Sequence, residues 1–327
     1  MYILLIIINL LTLKTYNYET QKTFPPSSWP PQRFEDNTWR TTTMIQCLHP
    51  VHLRDPTRIP SEFDVPCGKC ALCLSRRRAI WSFRLRQELH NSTSGYFITL
   101  TYNEENCPEK CEKEHIERFL KRFRRRIEPN RVRYFLVCEY GGQFLRPHYH
   151  LLLFNFIGDR EYLRSVLKAT WTYCDSFMFD YGDTVGDIEM ASINYVCKYC
   201  LSTLDDDSSN LPIFISCSRH PYIGEGYISD NIRHYVRRRF DGCTILQGEK
   251  IPLPRCYMDK IFTQPERELI ALQKYKQNIK KQLKQYGMKG SELMPYLEND
   301  LEIPEEEQKL FRDRLKDKER KIKSKLK

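Results

Sequence analysis

The chain has 327 residues, of which 41% are hydrophobic, so it is long and apolar enough to bury a sizeable core. Its 52 lysine and arginine residues outnumber 42 aspartate and glutamate residues, and the net charge of +10 favours a polyanionic partner such as nucleic acid. The 13 cysteines are odd in number and unevenly spaced. This argues against a disulfide framework and favours reduced thiols in a cytosolic setting.

The chain begins with a strongly apolar stretch, residues 1–13. This stretch is too short for an ordinary membrane span, and it lacks the basic start and the small-residue cleavage site of a signal peptide. Residues 14–43 are polar and proline-rich, with little periodicity. We therefore predict that residues 1–43 form a poorly ordered or dispensable extension, that Met44 is an alternative start, and that no membrane is a partner.

Four cysteines then lie close in sequence: Cys47 precedes the run Cys67-Gly68-Lys69-Cys70-Ala71-Leu72-Cys73. Four thiolates are enough to hold a structural Zn²⁺ ion. The spacing differs from the commonest pattern of two separated CxxC pairs, so ordinary free cysteines are the alternative.

Basic residues cluster on two predicted helices. The first helix is capped by Ser75 and runs to about His90, and the second covers residues 112–127. The second helix has apolar residues at i, i+3, i+4 and i+7 on one face and arginines on the other. We interpret the basic faces as DNA-binding, and solvated helix faces are the alternative. The DNA-binding candidates are Arg76, Arg77, Arg78, Arg124, Arg125, Arg126 and Arg146.

Strands and helices alternate in the middle of the chain. Predicted strands cover residues 96–102, 133–139, 148–156 and 187–190, and predicted helices cover 112–127, 159–171 and 191–204. The order β-α-β-β-α-β is that of ferredoxin-like and RRM-like domains. It predicts an α+β fold in which helices cover one face of an antiparallel sheet and the other face is free for a site. The second and third strands should pair as a hairpin.

The last part of the chain, from about residue 264, is highly charged and poor in glycine, with apolar residues at intervals. This pattern predicts long helices. The lysine-rich end, residues 316–327, is interpreted as a solvated or disordered tail.

A candidate metal site lies on the predicted hairpin. His148 and His150 alternate along the third strand and therefore point to the same face. Glu139 ends the partner strand, so its carboxylate can meet both imidazoles across the hairpin. Two histidines and one carboxylate leave open positions on Mg²⁺ or Mn²⁺, which can act as a Lewis acid on a phosphate oxygen. The alternative is an HxH sequence that arises by chance.

A candidate nucleophile lies on the last predicted helix, where Tyr195, Lys198 and Tyr199 share one face. A tyrosine that attacks a DNA phosphodiester forms a phosphotyrosine ester and keeps the bond energy, so the break can be resealed. Lys198 can stabilise the charge or position the strand. The alternative is that the tyrosines pack against the sheet, since the sequence contains 20 tyrosines.

Three segments together resemble the motifs of HUH rolling-circle replication initiators. They are Phe97-Ile98-Thr99-Leu100-Thr101-Tyr102, Arg146-Pro147-His148-Tyr149-His150 with the upstream Glu139-Tyr140-Gly141, and Tyr195-Val196-Cys197-Lys198-Tyr199. Together with the cysteine run they resemble the replication initiators of microviruses, specifically the gokushovirus branch of small single-stranded DNA phages. The resemblance covers roughly residues 44–240.

The resemblance implies a metal-dependent, site-specific nickase that cuts the viral strand at the replication origin in the cytoplasm of the bacterial host. It implies Tyr195 as the nucleophile and His148, His150 and Glu139 as metal ligands. The partners would be single-stranded and origin DNA, a host polymerase primed by the free 3′ hydroxyl, and a host helicase.

The second tyrosine departs from the pattern. Tyr199 is followed three residues later by Ser202, whereas Tyr195 is followed by Lys198. Alternation between the two tyrosines, by which a second attack would release and close a unit-length circle, is therefore left open.

The resemblance divides the chain into an extension, a cysteine-rich segment with a basic helix, the HUH core and a charged helical region. Their predicted ranges are 1–43, 44–94, 95–240 and 241–327. A relaxase or transposase of the same chemistry is one alternative. A non-catalytic RRM-like module and a zinc-binding DNA-packaging protein are others, although neither accounts for the histidine, glutamate and tyrosine set. The sequence contains no Walker P-loop for a fused helicase.

Overall fold

The computed structural model describes residues 47–55, 62–141, 144–181, 184–198, 213–246, 249–285 and 305–324. The predicted extension at residues 1–43, the end of the predicted helix 191–204, and Tyr199 lie outside the described residues. The described strands are β1 Val51–Arg54, β2 Glu62–Val65, β3 Gly95–Leu100, β4 Arg133–Tyr140, β5 Pro147–Phe154, β6 Val185–Asp187, β7 Ile215–Cys217, β8 Cys243–Leu246 and β9 Glu249–Pro252. The described α-helices are α1 Ala71–His90, α2 Lys113–Arg126, α3 Arg160–Thr170, α4 Met190–Lys198, α5 Asp230–Arg239, α6 Arg255–Ile261, α7 Gln264–Gln285 and α8 Glu305–Ser324.

A five-stranded antiparallel sheet with the order β6-β3-β5-β4-β7 is the centre of the fold. Strands β3 and β4 are joined through α2, and β5 lies between them, so the βαβ unit is split. The predicted α+β class, the β-α-β-β-α-β order and the β4–β5 hairpin are confirmed.

Helices α2 and α3 cover the first face of this sheet. In α2, Ile116, Phe119, Leu120 and Phe123 are buried at the predicted spacing. Helix α3 begins after Asp159, whose side chain accepts a hydrogen bond from the Tyr162 backbone N–H. The apolar sides of both helices pack on alternate residues of the strands, which form the largest buried cluster.

The second face of the sheet is not free, and the prediction of an open face is wrong. Leu85 of α1 and Ile193 and Val196 of α4 pack against Leu152 and Phe154 of β5. The apolar run at residues 151–154 explains this cover, because consecutive apolar residues of a strand need burial on both faces. The histidines of β5 lie on this same second face, beyond its apolar part.

Two element boundaries also differ from the prediction. Helix α1 begins at Ala71 with Cys70 as its N-cap residue, and Ser75 is inside the helix, because residues 71–74 are all buried. Strand β6 ends at Asp187, so Met190, which was predicted to end this strand, instead begins α4.

The C-terminal part contains long helices, as predicted. Buried residues of α5, α6 and the start of α7 form a separate cluster that includes Val236, Tyr257 and Ile270. The lysine-rich end is helical up to Ser324, and Leu315 of α8 is only 2% exposed, so the interpretation of a solvated or disordered tail is wrong for its described part. Among the described residues, no helix combines the length and apolarity needed to cross a membrane.

Candidate active site

The β4–β5 hairpin brings a carboxylate and two imidazoles together on the second face of the sheet. Glu139 of β4 lies directly opposite His148 of β5 in the register. The Glu139 Oε2 atom is 3.2 Å from His148 Nε2 and 2.8 Å from His150 Nε2. Ligand atoms of all three residues lie within 4.8 Å of one another, as binding to a single ion requires.

The outer nitrogen of each imidazole is held by a neighbouring group. His148 Nδ1 lies 3.2 Å from the carbonyl oxygen of Arg146, and His150 Nδ1 lies 3.3 Å from Thr99 Oγ1. Phe97 stacks on the His150 ring at a centroid distance of 5.3 Å and an interplanar angle of 13°. These contacts fix both rings so that their Nε2 atoms face Glu139, the orientation usual for metal-ligating histidines.

The His148 contacts fit a cation at the centre of the site. A carbonyl oxygen can only accept, so His148 Nδ1 must donate to Arg146. A neutral His148 ring then points the Nε2 lone pair at a carboxylate oxygen, which is favourable only when a proton or a metal ion lies between them. The donor set therefore fits a divalent ion with two nitrogen ligands and one oxygen ligand.

The environment of His148 also favours positive charge. Burial lowers the pKa of the His148 imidazole, but hydrogen bonds to the Glu139 carboxylate and the Arg146 carbonyl outweigh burial and raise it above its ordinary value. His150 is 6% exposed, so the site is partly shielded from water.

Tyr195 of α4 reaches the same carboxylate. Its hydroxyl donates a hydrogen bond of 3.0 Å to Glu139 Oε2, and its ring contacts the His150 ring edge-on at 5.0 Å. The side chain is nevertheless 39% exposed, while Ile193 and Val196 of the same helix are buried. Packing alone explains the buried residues of α4 but not a half-exposed phenol aimed at a carboxylate. Lys198 is exposed, one helical turn after Tyr195.

The four cysteines predicted as zinc ligands also come together, at the start of α1. The sulfur atoms of Cys47, Cys67, Cys70 and Cys73 lie within 4.8 Å of one another. Burial raises the pKa of the Cys67 thiol, but hydrogen bonds from the Cys70 and Lys69 backbones and from neighbouring thiols outweigh burial and lower it to about 6.

The predicted DNA-binding arginines do not form one surface. Arg76 and Arg77 are exposed near the start of α1. Residues 124–126 are exposed at the end of α2, which covers the sheet face opposite the histidines. Arg146 forms an ion pair with Glu104 and donates to the Tyr102 carbonyl at 3.1 Å, so it supports the loop that holds His148.

Sequence reasoning assigned no role to Thr99 and Phe97, although both lie in a segment that carried the family resemblance. Alternation along β3 places them on one face, and Thr99 lies opposite His150 in the β3–β5 register. The alternation was visible in the sequence, but the register between these two non-consecutive strands was not.

Comparison with known proteins gives a consistent result. Residues 95–204 match the family of the replication-associated protein ORF2. The chain is 26% identical over 227 residues to replication-associated protein VP4 of Bdellovibrio phage phiMH2K, which covers 61% of this chain and 68% of the relative. It is 30% identical over 156 residues to replication-associated protein ORF2 of Spiroplasma virus 4, with coverages of 43% and 49%. It is 25% identical over 227 residues to replication-associated protein ORF4 of Chlamydia phage 1, with coverages of 60% and 53%.

The chain thus spans about half the length of two of these three relatives. No solved structure matches it. The family match at residues 95–204 contains the whole candidate site. The resemblance to phage replication-associated proteins that the motifs predict is confirmed by these matches.

Proposed function

Starting from this confirmed relation to the replication-associated proteins of phages, we propose that the chain is a site-specific single-strand DNA nickase. It would start rolling-circle replication of a small circular single-stranded DNA phage genome and rejoin the strand afterwards. The reaction would take place in the cytoplasm of the bacterial host. The free 3′ hydroxyl would prime a host polymerase, with a host helicase opening the duplex.

The observation that carries the proposal is the meeting of three side chains at one carboxylate oxygen. His148, His150 and Tyr195 each contact Glu139 Oε2, at distances of 3.2, 2.8 and 3.0 Å. A non-catalytic nucleic-acid-binding sheet has no need for a set of metal ligands beside a half-exposed phenol. A tyrosine nuclease needs both in one place.

The chemistry follows from these positions. The Tyr195 phenol oxygen attacks the phosphorus of the scissile phosphodiester, the bond from phosphorus to the 3′ oxygen breaks, and a 5′-phosphotyrosine ester forms. The phenol loses its proton, and the departing 3′ oxygen gains one. Glu139 holds the phenol by accepting its hydrogen bond. When bound by Glu139, His148 and His150, Mg²⁺ or Mn²⁺ would supply Lewis-acid polarisation of a phosphate oxygen.

Lys198 and Tyr199 complete the proposed set. Lys198 follows Tyr195 by one turn and is exposed, so its ammonium group can approach a phosphate held at the phenol. Tyr199, outside the described residues, would attack in the later joining step. Reversal of the ester by a 3′ hydroxyl reseals the strand without an added energy source, because the ester keeps the energy of the broken bond.

The proposal is tested by formation of a covalent protein–DNA adduct. Single-stranded oligonucleotides tiled across the genome that encodes the chain are incubated with the protein and Mn²⁺, and adducts are resolved on denaturing gels. One region should yield an adduct, and peptide mapping should place the DNA on Tyr195. Tyr195→Phe should reduce the first-step adduct by at least about 100-fold, since the variant lacks the attacking oxygen.

Matched variants separate chemistry from binding and folding. Tyr181→Phe changes another exposed tyrosine and should react like wild type. His148→Ala should abolish the adduct but retain most of the salt-sensitive DNA binding. If Tyr195→Phe forms as much adduct as wild type, Tyr195 is not the first nucleophile. If no oligonucleotide yields an adduct with any of Mn²⁺, Mg²⁺ or Zn²⁺, the nickase proposal is wrong.

A further inference from the structure

A second cluster of candidate ligands lies apart from the candidate active site, where the chain enters α1. It consists of Cys47, which precedes the β1–β2 hairpin, and Cys67, Cys70 and Cys73, which follow it. Cys47, Cys70 and Cys73 are buried, and Cys67 is partly buried. Four thiols gathered from two segments into one buried place call for a chemical explanation, since the proposed nickase reaction does not use them.

The sulfur positions match a tetrahedron around one ion. Cys47 Sγ is 3.8 Å from Cys70 Sγ, and Cys67 Sγ is 4.0 Å from Cys73 Sγ. Four sulfurs at the usual zinc–sulfur distance of about 2.3 Å lie about 3.8 Å from one another. Disulfide bonds would bring each pair to about 2.05 Å. A cluster of several iron atoms would hold the cysteines farther apart than a single ion does.

The backbone around the cysteines is arranged to stabilise thiolates. The backbone N–H groups of Lys69 and Cys70 donate to Cys67 Sγ at 3.4 and 3.3 Å, and the N–H of Cys67 donates to Cys47 Sγ at 3.3 Å. The turn between them uses Gly68 at a φ of +76°, which a residue with a Cβ rarely adopts. Cys70 and Cys73 lie at the N-terminus of the 20-residue helix α1, whose dipole favours negative charge there.

The C-terminal helix covers this cluster. Leu315 of α8 is 2% exposed and Ile322 is partly buried, and both pack in one apolar cluster with Leu72 and the cysteines. The residues between them on the other sides of α8 are mainly charged and exposed. Helix α8 therefore meets the rest of the described chain through a narrow apolar stripe whose opposing surface includes the cysteine side chains.

We propose that the four thiolates bind one Zn²⁺ ion, and that this ion organises the surface on which α8 docks. The ion ties the segment before β1 to the start of α1 and fixes Leu72 in position for Leu315. Without the ion, four buried thiols have no reason to remain together, the start of α1 loosens, and α8 loses its docking surface. The inference is independent of the proposed nickase reaction.

The first test is the metal content of the full-length protein purified without added metal or chelator. Elemental analysis should find one zinc per chain. Exchange with Co²⁺ should give the strong sulfur-to-cobalt absorption and the intense visible bands of a tetrahedral four-thiolate site. Both measurements use the wild-type chain, so they stand even if cysteine variants fold poorly. Less than about 0.2 zinc per chain together with no cobalt bands would overturn the proposal, as would thiol titration that shows disulfides.

The second test concerns helix α8. Hydrogen exchange of peptides from residues 305–324 is compared between zinc-loaded protein and protein stripped with a thiol-competing chelator. We expect at least a ten-fold faster exchange in α8 after stripping, with little change in β4 and β5. Cys73→Ser should reproduce the effect, whereas Cys174→Ser, a half-buried cysteine outside the cluster, should not. Equal exchange of α8 with and without zinc would overturn the docking role.

Discussion

The histidines of the candidate site depend on groups that the HxH motif does not contain. Thr99 Oγ1 lies 3.3 Å from His150 Nδ1, and the Arg146 carbonyl accepts from His148 Nδ1. Only the first of these partners is a side chain and can be removed by mutation. Such partners fix the ring and the nitrogen that carries the proton, and their loss typically costs 10–100-fold in metal affinity.

Thr99→Val is therefore expected to weaken metal binding without removing a ligand. Valine keeps the shape of threonine but cannot hydrogen-bond His150, so the ring is held less firmly. The half-saturating Mn²⁺ concentration for adduct formation should rise by about ten-fold. The rate at saturating Mn²⁺ should stay near that of wild type, because the three ligands and Tyr195 are unchanged.

Thr93→Val serves as the control, because Thr93 is an exposed threonine in the turn before β3. It should leave the Mn²⁺ dependence unchanged. An unaltered Mn²⁺ dependence in Thr99→Val would show that Thr99 does not position His150.

At this scale the sequence was informative where local rules apply. Alternation along a strand put His148 and His150 on one face, and the short β4–β5 connection put Glu139 opposite them. The contribution of Thr99 could not be predicted, because it depends on the pairing of β3 with β5 across 51 residues of sequence. The exposed hydroxyl of Tyr195 was likewise undecided until the helix was placed over the sheet.

Among the elements, α1 is joined to β4 by a buried ion pair. Arg133 of β4 pairs with Glu88 of α1, whose side chain is only 7% exposed. Arg133 also donates to the Pro221 and Tyr222 carbonyls at 2.8 Å, and Glu88 Oε2 accepts from the Gly224 N–H at 2.6 Å. One arginine and one glutamate thus connect a helix, a strand and the loop that follows β7.

Arg133→Ala should lower the free energy of unfolding by about 3–5 kcal/mol, because it leaves the Glu88 carboxylate buried without its charged partner. Urea unfolding followed by circular dichroism measures the change. The matched control is Arg160→Ala, which breaks the exposed Arg160–Asp187 pair and should cost less than about 1 kcal/mol. Similar losses in the two variants would mean that the Arg133–Glu88 pair is not effectively buried.

The elements themselves were largely predictable, but their layering was not. The 3.6-residue period of α2 and the capping of α3 by Asp159 are local, and both were confirmed. The open sheet face was wrong because the β-α-β-β-α-β order says nothing about helices that lie before and after it. The consecutive apolar residues 151–154 were the available signal that both faces of β5 are covered.

For the whole molecule, positive charge is distributed over more than one side. Arg124, Arg125 and Arg126 are exposed on a helix that packs on the sheet face opposite His148 and Tyr195. If DNA wraps beyond the site of cutting, these arginines bind phosphates without taking part in the reaction. Binding and cutting should therefore separate when they are changed.

Replacing Arg124, Arg125 and Arg126 with glutamine should reduce the salt dependence of single-strand binding. The slope of log affinity against log salt should become shallower by about 2, since about 0.7 counterion is released per phosphate contact. Fluorescence anisotropy at several salt concentrations measures this slope. Adduct formation at saturating DNA should be unchanged.

A control variant removes the same charge elsewhere, from Lys309, Lys318 and Lys321, which are exposed on α8. It should change the slope less than the arginine variant. An equal change in the two variants would show that net charge, rather than contact at the end of α2, determines binding.

The packing of α8 against the cysteine cluster was the part of the architecture that the sequence indicated least. A lysine-rich helix with few apolar residues is typical of a solvated element, and only contact between distant segments shows that Leu315 is buried. The same contact affects how the chain is made. Ribosomes add about 5–20 residues per second, so Leu315 emerges roughly tens of seconds after Cys73. The cysteine segment and the sheet can fold while α8 is still being synthesised, and the apolar surface at Leu72 is covered only when translation is nearly complete.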